Sequence, residues 1–534
     1  MYARFELRKP FLALASAAAL TLAALPQGAV AQVTAFKQAV AEASARDGAI
    51  AAFYKANKFD HIWTGMDDRA RREALLEAVS NADDHGLPAD RYDAARITAM
   101  LGQAKTPADR GRLEVEMSRI FLQYARDLQT GVLEPRKIDS GIVREVPYRD
   151  RTSYLVALAQ SNPRAFMRGL APKTNEYARL MKEKLRLERL LAAGGWGAQV
   201  PTAKLSPGDS GNAVVALRNR LMAMGYLDRS ATTTYDAAMQ TAVQQFQADH
   251  GLFTDGVAGS GTMAEINTSP EKRLQSVIVA MERERWVNRP KGGRHILVNL
   301  VDFHAQIVDD DVVTFRTRSV IGHPDADRRS PEFSDVMEYM VVNPTWNVPR
   351  SIATKEYLPM MQRNRNAASH LELYDSRGRK VSRANINFAA YTERTFPFAI
   401  KQPPSQRNAL GLVKFMFPNR YNIYLHDTPS KSLFNEESRA FSHGCIRLQQ
   451  PFDFAYALLA KQSSDPEGLF KSRLNTGQES VIELEQPVPV HLIYRTAFTV
   501  AKGKTNYRRD VYGRDAKIWN ALSQAGVALR AVQG

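Results

Sequence analysis

The chain has 534 residues, 44% apolar and 24% charged, with a formal net charge of +16. At roughly 100–200 residues per domain this length predicts about three domains, and the composition excludes wholesale disorder. A single cysteine excludes an intrachain disulfide and any multi-cysteine zinc site.

The first 31 residues read as a secretory signal peptide. Arg4, Arg8 and Lys9 precede an apolar run from Phe11 to Leu25, and Ala29-Val30-Ala31 gives a small-x-small pattern before Gln32. The run is too short to span a bilayer, so no stable membrane span is expected. Its removal takes away three basic residues and Glu6, which lowers +16 to +14. Export to the periplasm makes nucleic acid an unsuitable partner, and the Lys and Arg residues are scattered rather than gathered with stacking aromatics. In an oxidising compartment a free thiol is a liability. Cys445 is therefore either buried and inert or present for its reactivity, and bulk composition leaves both open.

Residues 32–200 read as a helical scaffold. Ile120, Leu122, Tyr124 and Leu128 recur at helical spacing up to Thr130-Gly131, and a second amphipathic run, Tyr177 to Ala193, ends at Gly194-Gly195. No catalytic constellation stands out in this region. A Gly- and Pro-rich boundary leads into a compact unit at 204–268. Val214, Leu217, Leu221 and Met224 form one helical stripe there, and Met239, Val243 and Phe246 another, before the Asp255-Gly256 turn. Taken alone the stripes mean core packing. Their order, from LSPGDSGNAVVALRNRLMAMGYL to DGVAGSGT, resembles the small three-helix peptidoglycan-binding domain of cell-wall enzymes. The resemblance implies attachment to the wall without singling out contact residues.

Beyond Glu271 a helix to Trp286 gives way to short alternating segments: 295–300, 312–321, 339–342, 422–425 and 491–494. They predict a mostly β catalytic domain over 271–515, followed by a C-terminal helix at 516–534. A long polar insertion, about 355–408, interrupts it and is expected to act as a cap over the site. The whole is expected to be a multidomain α+β chain.

Chemistry concentrates in His426 to Leu448, HDTPSKSLFNEESRAFSHGCIRL. A thiol attacks carbonyls as thiolate, and an imidazole can take its proton. His426 lies 19 residues before Cys445, a spacing that permits a loop to bring the two together. Gly444 allows close approach of backbone to substrate, and the N–H groups there and at Cys445 are candidates for an oxyanion hole.

Ser442-His443-Gly444-Cys445-Ile446-Arg447 with the upstream His426 resembles the signature of the L,D-transpeptidases with a YkuD-type catalytic domain. Asn343 to Pro349 and Ala409-Leu410-Gly411 extend the likeness, which spans about 273–515 and matches the large periplasmic members of that family. The resemblance implies that Cys445 is the acyl-accepting nucleophile and His426 the general acid/base, with His443 and Gly444 shaping the nucleophile loop and oxyanion hole. Ser442, Arg447 and Trp346 are expected near substrate. Where many members have Asn two residues after the cysteine, this chain has Arg447, read either as a clamp on a stem-peptide carboxylate or as the partner of a structural acid. Trp346 either lines the cleft or is an aromatic of the sheet interior.

The activity implied is a 3→3 cross-link between meso-diaminopimelate residues, made through a cysteine thioester with release of D-Ala. No metal or other cofactor is called for. Its partners are a donor tetrapeptide stem and an acceptor stem, with other wall-synthesis enzymes as further partners. Rival readings are hydrolysis of the same thioester, lipoprotein attachment, D-amino acid exchange, and a wall-binding scaffold without catalysis.

Overall fold

The computed structural model describes residues 34–530, so the expected signal peptide lies outside the described residues. The first region is helical. Its central helix, Pro107–Thr130, starts with Pro at its first position and a reciprocal Thr106/Asp109 capping box, and it stops at Gly131, whose φ of 94° suits glycine. Val115, Phe121, Tyr124 and Leu128 bury one side of it against the neighbouring helices. Glu114, on the same helix, is fully buried. It accepts hydrogen bonds from the backbone N–H groups of Ile62 (2.6 Å), Trp63 (3.0 Å) and Thr64 (2.9 Å), and from the hydroxyls of Thr64 (2.7 Å) and Tyr54 (2.9 Å). This carboxylate therefore serves the loop at 62–64, whose amides would otherwise be buried without partners.

Three helices, Asn212–Ala223, Ala237–Asp249 and Ser260–Ile266, form a separate small unit. Val214, Leu217, Leu221, Met239, Val243 and Phe246 meet in its core, as their helical spacing requires. Helix Pro270–Trp286 then runs through the middle of the molecule, buried nearly all round against helix Asn175–Ala192 and the C-terminal helix Arg514–Gln524.

The catalytic-side sheet is built from β1 (Arg294–Asn299), β2 (His304–Asp309), β3 (Val312–Gly322) and β4 (Phe333–Val342). The four-stranded sheet of the insertion contributes β5 (Trp346–Asn347), β6 (Glu372–Tyr374), β7 (Lys380–Val381) and β8 (Ala399–Gln402). Then come β9 (Val413–Met416), β10 (Leu425–His426), β11 (Ala440–Ser442), β12 (Ile446–Leu448) and the long β13 (Ser480–Ile493). The large sheet has the order β11-β3-β12-β10-β9-β4-β13-β1-β2, and β2 also pairs with β3. The sheet thus closes on itself, which removes the exposed edges of eight strands and leaves β11 attached outside. Its interior is a continuous apolar core that includes Val298, Ile307, Met340, Phe415, Leu425, Ile446 and Leu492, covered at one side by helix Pro451–Leu459.

The insertion is polar on its surface but not inside. Trp346, Leu358, Leu373, Phe388, Phe396 and Ile400 give the cap a hydrophobic core of its own. Multidomain α+β architecture, with helices first and a mostly β unit after, is what the periodicities predict.

Candidate active site

The site is laid out by a parallel pairing of two short strands. Leu425 stands opposite Ile446 and His426 opposite Arg447, and the Ile446 N–H donates to the Tyr424 carbonyl (3.1 Å). Leu425, Ile446 and Leu448 point into the sheet interior. Because side chains alternate along a strand, Tyr424, His426, Cys445 and Arg447 share the other face. Lys414 of β9 joins them, being in register with His426.

Cys445 is half-buried and donates its thiol to the Asn422 carbonyl at 3.4 Å. Burial pushes the thiol up to about 11, against the opposing influence of the Tyr424 backbone and hydroxyl and the positive charge of Arg447. His426 is buried, and its Nδ1 donates to the Asp427 carbonyl at 2.5 Å. Burial first, then the Arg447 charge, pull the imidazole down to about 3, against the hydrogen-bonding carbonyls of Asp427 and Leu410. Near neutrality the site therefore rests as thiol and neutral imidazole. No hydrogen bond joins the two among the described residues. The Tyr424 ring lies 5.6 Å from that of His426. The strand pairing brings the expected nucleophile and base to one face without a hydrogen bond between them among the described residues.

The nucleophile loop is held from behind. The buried Ser442 hydroxyl donates to the Cys445 carbonyl (2.6 Å) and accepts from the Gly444 N–H (3.1 Å). Ser442 thus braces the loop around Gly444 and Cys445. Gly444 has a φ of 117°, and a Cβ there would press on Ile423 at 3.1 Å. The Gly444 N–H donates to Ser442. The Cys445 N–H, which has no hydrogen-bond partner among the described residues, is the donor beside the thiol. His443 reaches outward, its Nε2 lying 2.5 Å from Glu356 of the cap. Trp346 is 8% exposed and packs in the cap core, 6.2 Å from the Tyr357 ring.

Arg447 has no ion-pair partner among the described residues, and its Nε is buried without a hydrogen bond. Lys414 likewise makes no ion pair among the described residues, and burial lowers its pKa. Two cations therefore flank His426 on the open face, an arrangement suited to carboxylates.

Sequence reasoning passed over Tyr424, Lys414 and Asp427. The buried Asp427 accepts from the Leu412 N–H (2.9 Å), the Thr428 N–H (2.7 Å) and Lys431 (2.5 Å), and so fixes the 410–412 turn against His426. Gly411, at φ 62°, lies so close to Asp427 that no Cβ would fit. Asp427 follows His426 directly, which was the available signal; Lys414 is adjacent only through strand pairing.

Residues 293–467 match the family profile described as the L,D-transpeptidase catalytic domain. The chain carries an L,D-transpeptidase catalytic domain. Residues 210–266 match a "Putative peptidoglycan binding domain" and residues 48–183 a "Scaffold domain". A Haemophilus influenzae protein named "Putative L,D-transpeptidase" is 31% identical over 259 residues, 47% of this chain and 51% of that protein. The chain therefore spans about half the length of the curated relative it matches. An L,D-transpeptidase from Xylanimonas cellulosilytica is 16% identical, covering 55% of this chain and 98% of that one, with a TM-score of 0.16. The L,D-transpeptidase of Stackebrandtia nassauensis is also 16% identical, covering 55% and 97%, with a TM-score of 0.22. Assignment of the L,D-transpeptidase domain stands on the family match. Among the described residues no helix is long and apolar enough to cross a membrane.

Proposed function

We propose that the protein is a periplasmic cysteine L,D-transpeptidase that forms 3→3 cross-links in peptidoglycan. The observation that supports this most is the shared face of Tyr424, His426, Cys445 and Arg447 inside the matched catalytic domain. Peptidoglycan stems end in carboxylates, and two unpaired cations, Lys414 and Arg447, stand beside the thiol and the imidazole.

In this reading Cys445 attacks the carbonyl of the third stem residue of a donor tetrapeptide. The thiol proton passes to His426, a C–S bond forms, and the Cys445 N–H receives the oxyanion. The C–N bond to D-Ala then breaks, and His426 returns the proton to the departing amine. The side-chain amine of an acceptor stem attacks the thioester. Its C–N bond forms as the C–S bond breaks, and the amine proton restores the thiol through His426. Since the ring faces carbonyls at rest, this relay requires the thiol to leave the Asn422 carbonyl when substrate enters. Asp427 is a positioning residue, acting on His426 through the 410–412 turn.

The test is Cys445→Ala with purified tetrapeptide muropeptides, products weighed by mass spectrometry. Loss of cross-linked dimers with wall sedimentation retained is expected. Dimers formed at the full rate by this variant would refute the mechanism. Tripeptide products without dimers from the parent enzyme, even at high acceptor concentration, would instead establish the hydrolase.

A further inference from the structure

A cavity of about 530 Å³ opens where helix Asn175–Ala192, the three-helix unit and the hairpin of β14 (Ala497–Phe498) and β15 (Asn506–Tyr507) converge. Arg179, Lys182, Arg186 and Arg189 line it from one stripe of the helix, spaced three and four residues apart. Arg273 and Lys504 add two more cations, against the single acid Glu183. That acid is already engaged, 2.7 Å from Arg186 and hydrogen-bonded by the Tyr507 hydroxyl at 3.1 Å. Arg179 is tied to Glu176 and Thr499, and Arg273 to Glu265. Lys182 and Arg189 form no ion pair or hydrogen bond among the described residues.

The walls are aromatic. Tyr507 stacks at 5.7 Å on His250, and Tyr226 and Trp196 complete the lining. Trp196 is 9% exposed and Arg273 5% exposed, yet the indole Nε1 and the guanidinium Nε have no hydrogen-bond partner among the described residues. Buried donors without acceptors are costly unless something else meets them. Surplus positive charge, unpaired buried N–H groups and aromatic faces together suit a ligand with sugar rings and carboxylates.

We propose that this cavity, whose lining does not include Cys445, binds the sugar–stem-peptide unit of peptidoglycan through its carboxylates, as a second recognition site. The inference rests on the peptidoglycan reading above. It differs from simple attachment by the three-helix unit, since the scaffold helix and the hairpin supply most of the cations.

The experiment uses the full chain with Cys445→Ala, titrated with a soluble disaccharide-tetrapeptide while tryptophan fluorescence and heat are recorded. Lys182→Gln with Arg189→Gln, both at exposed positions, is expected to weaken binding about tenfold, and Trp196→Phe to remove the fluorescence change. A fragment with amidated carboxylates is expected to bind the parent as weakly as the intact fragment binds the double variant. Unchanged affinity in the double variant, or a fluorescence change that survives Trp196→Phe, would overturn the proposal. Inorganic phosphate binding as tightly as the fragment would overturn it too, by marking a generic anion site. Cross-linking by the Cys445 enzyme is measured in parallel. Intact cross-linking with no cavity binding sinks only this inference, whereas absence of both sinks the peptidoglycan reading itself.

Discussion

Cys445 and His426 are each neutral at rest, and their surroundings say why. The thiol is pushed to about 11 and the imidazole down to about 3, both chiefly by burial. Thiolate is the reactive form, and its fraction rises about tenfold per pH unit below the pKa. Alkylation of Cys445 by iodoacetamide is therefore expected to be slow at pH 8 and to climb steadily toward pH 11. A plateau reached by pH 9 would contradict the raised value. Arg447 favours the thiolate, so Arg447→Gln raises the thiol pKa further. At fixed pH alkylation then slows about threefold to tenfold, as expected for a shift of 0.5 to 1 unit. Faster alkylation would show that Arg447 acts otherwise. Arg447→Lys, which keeps the charge, is expected to restore most of the rate.

At the scale of elements, the cap touches the catalytic side through exposed charges. Glu356 contacts His443 at 2.5 Å, and Lys355 contacts Asp327 at 3.2 Å. Exposed pairs of this kind contribute at most about 1 kcal/mol, and Leu410, Ala409 and Tyr424 also pack against the cap core. Glu356→Gln is expected to speed proteolysis within 360–404 several-fold while the thermal midpoint barely moves. An unchanged cleavage rate would remove this latch. Glu114 shows the opposite economy, one buried carboxylate serving four residues of a neighbouring segment. Glu114→Ala leaves those donors unpaired and is expected to destabilise the helical region by about 3 kcal/mol or more, read from urea unfolding. A loss below about 1 kcal/mol would mean that water replaces the carboxylate.

Across the whole molecule, a buried charge network joins the parts. Glu332, 1% exposed, lies 2.6 Å from Arg283 of the central helix and 3.3 Å from Arg514 of the C-terminal helix. Arg283 also holds Asp515 at 2.7 Å, and the Glu332 backbone exchanges hydrogen bonds with Gly141 and Val143 of the scaffold region. Removing one member strands buried charge on the others. Glu332→Gln is expected to cost about 3–5 kcal/mol, seen as a lower unfolding midpoint by circular dichroism. A change under about 1 kcal/mol would show that the network is dispensable.

Much of the architecture was legible in the sequence because it is local. Helical spacing placed Val214, Leu217 and Leu221 on one buried stripe, and glycines marked helix ends at 131 and 194. The SHGC segment with an upstream histidine suggested cysteine acyl transfer, since those residues lie within one short stretch. What lies across the sheet was not legible. Lys414 reaches His426 only through pairing of β9 with β10, and Ser442 turned inward because the loop around Gly444 closes on itself. The basic cavity assembles from segments more than 300 residues apart, such as Arg179 and Lys504, so no window along the chain contains it. Sequence alone determined that Cys445 sits where a reactive thiol is expected. Tertiary structure decided that it rests protonated beside an unpaired arginine, because burial and charge are set by neighbours the chain brings in from afar.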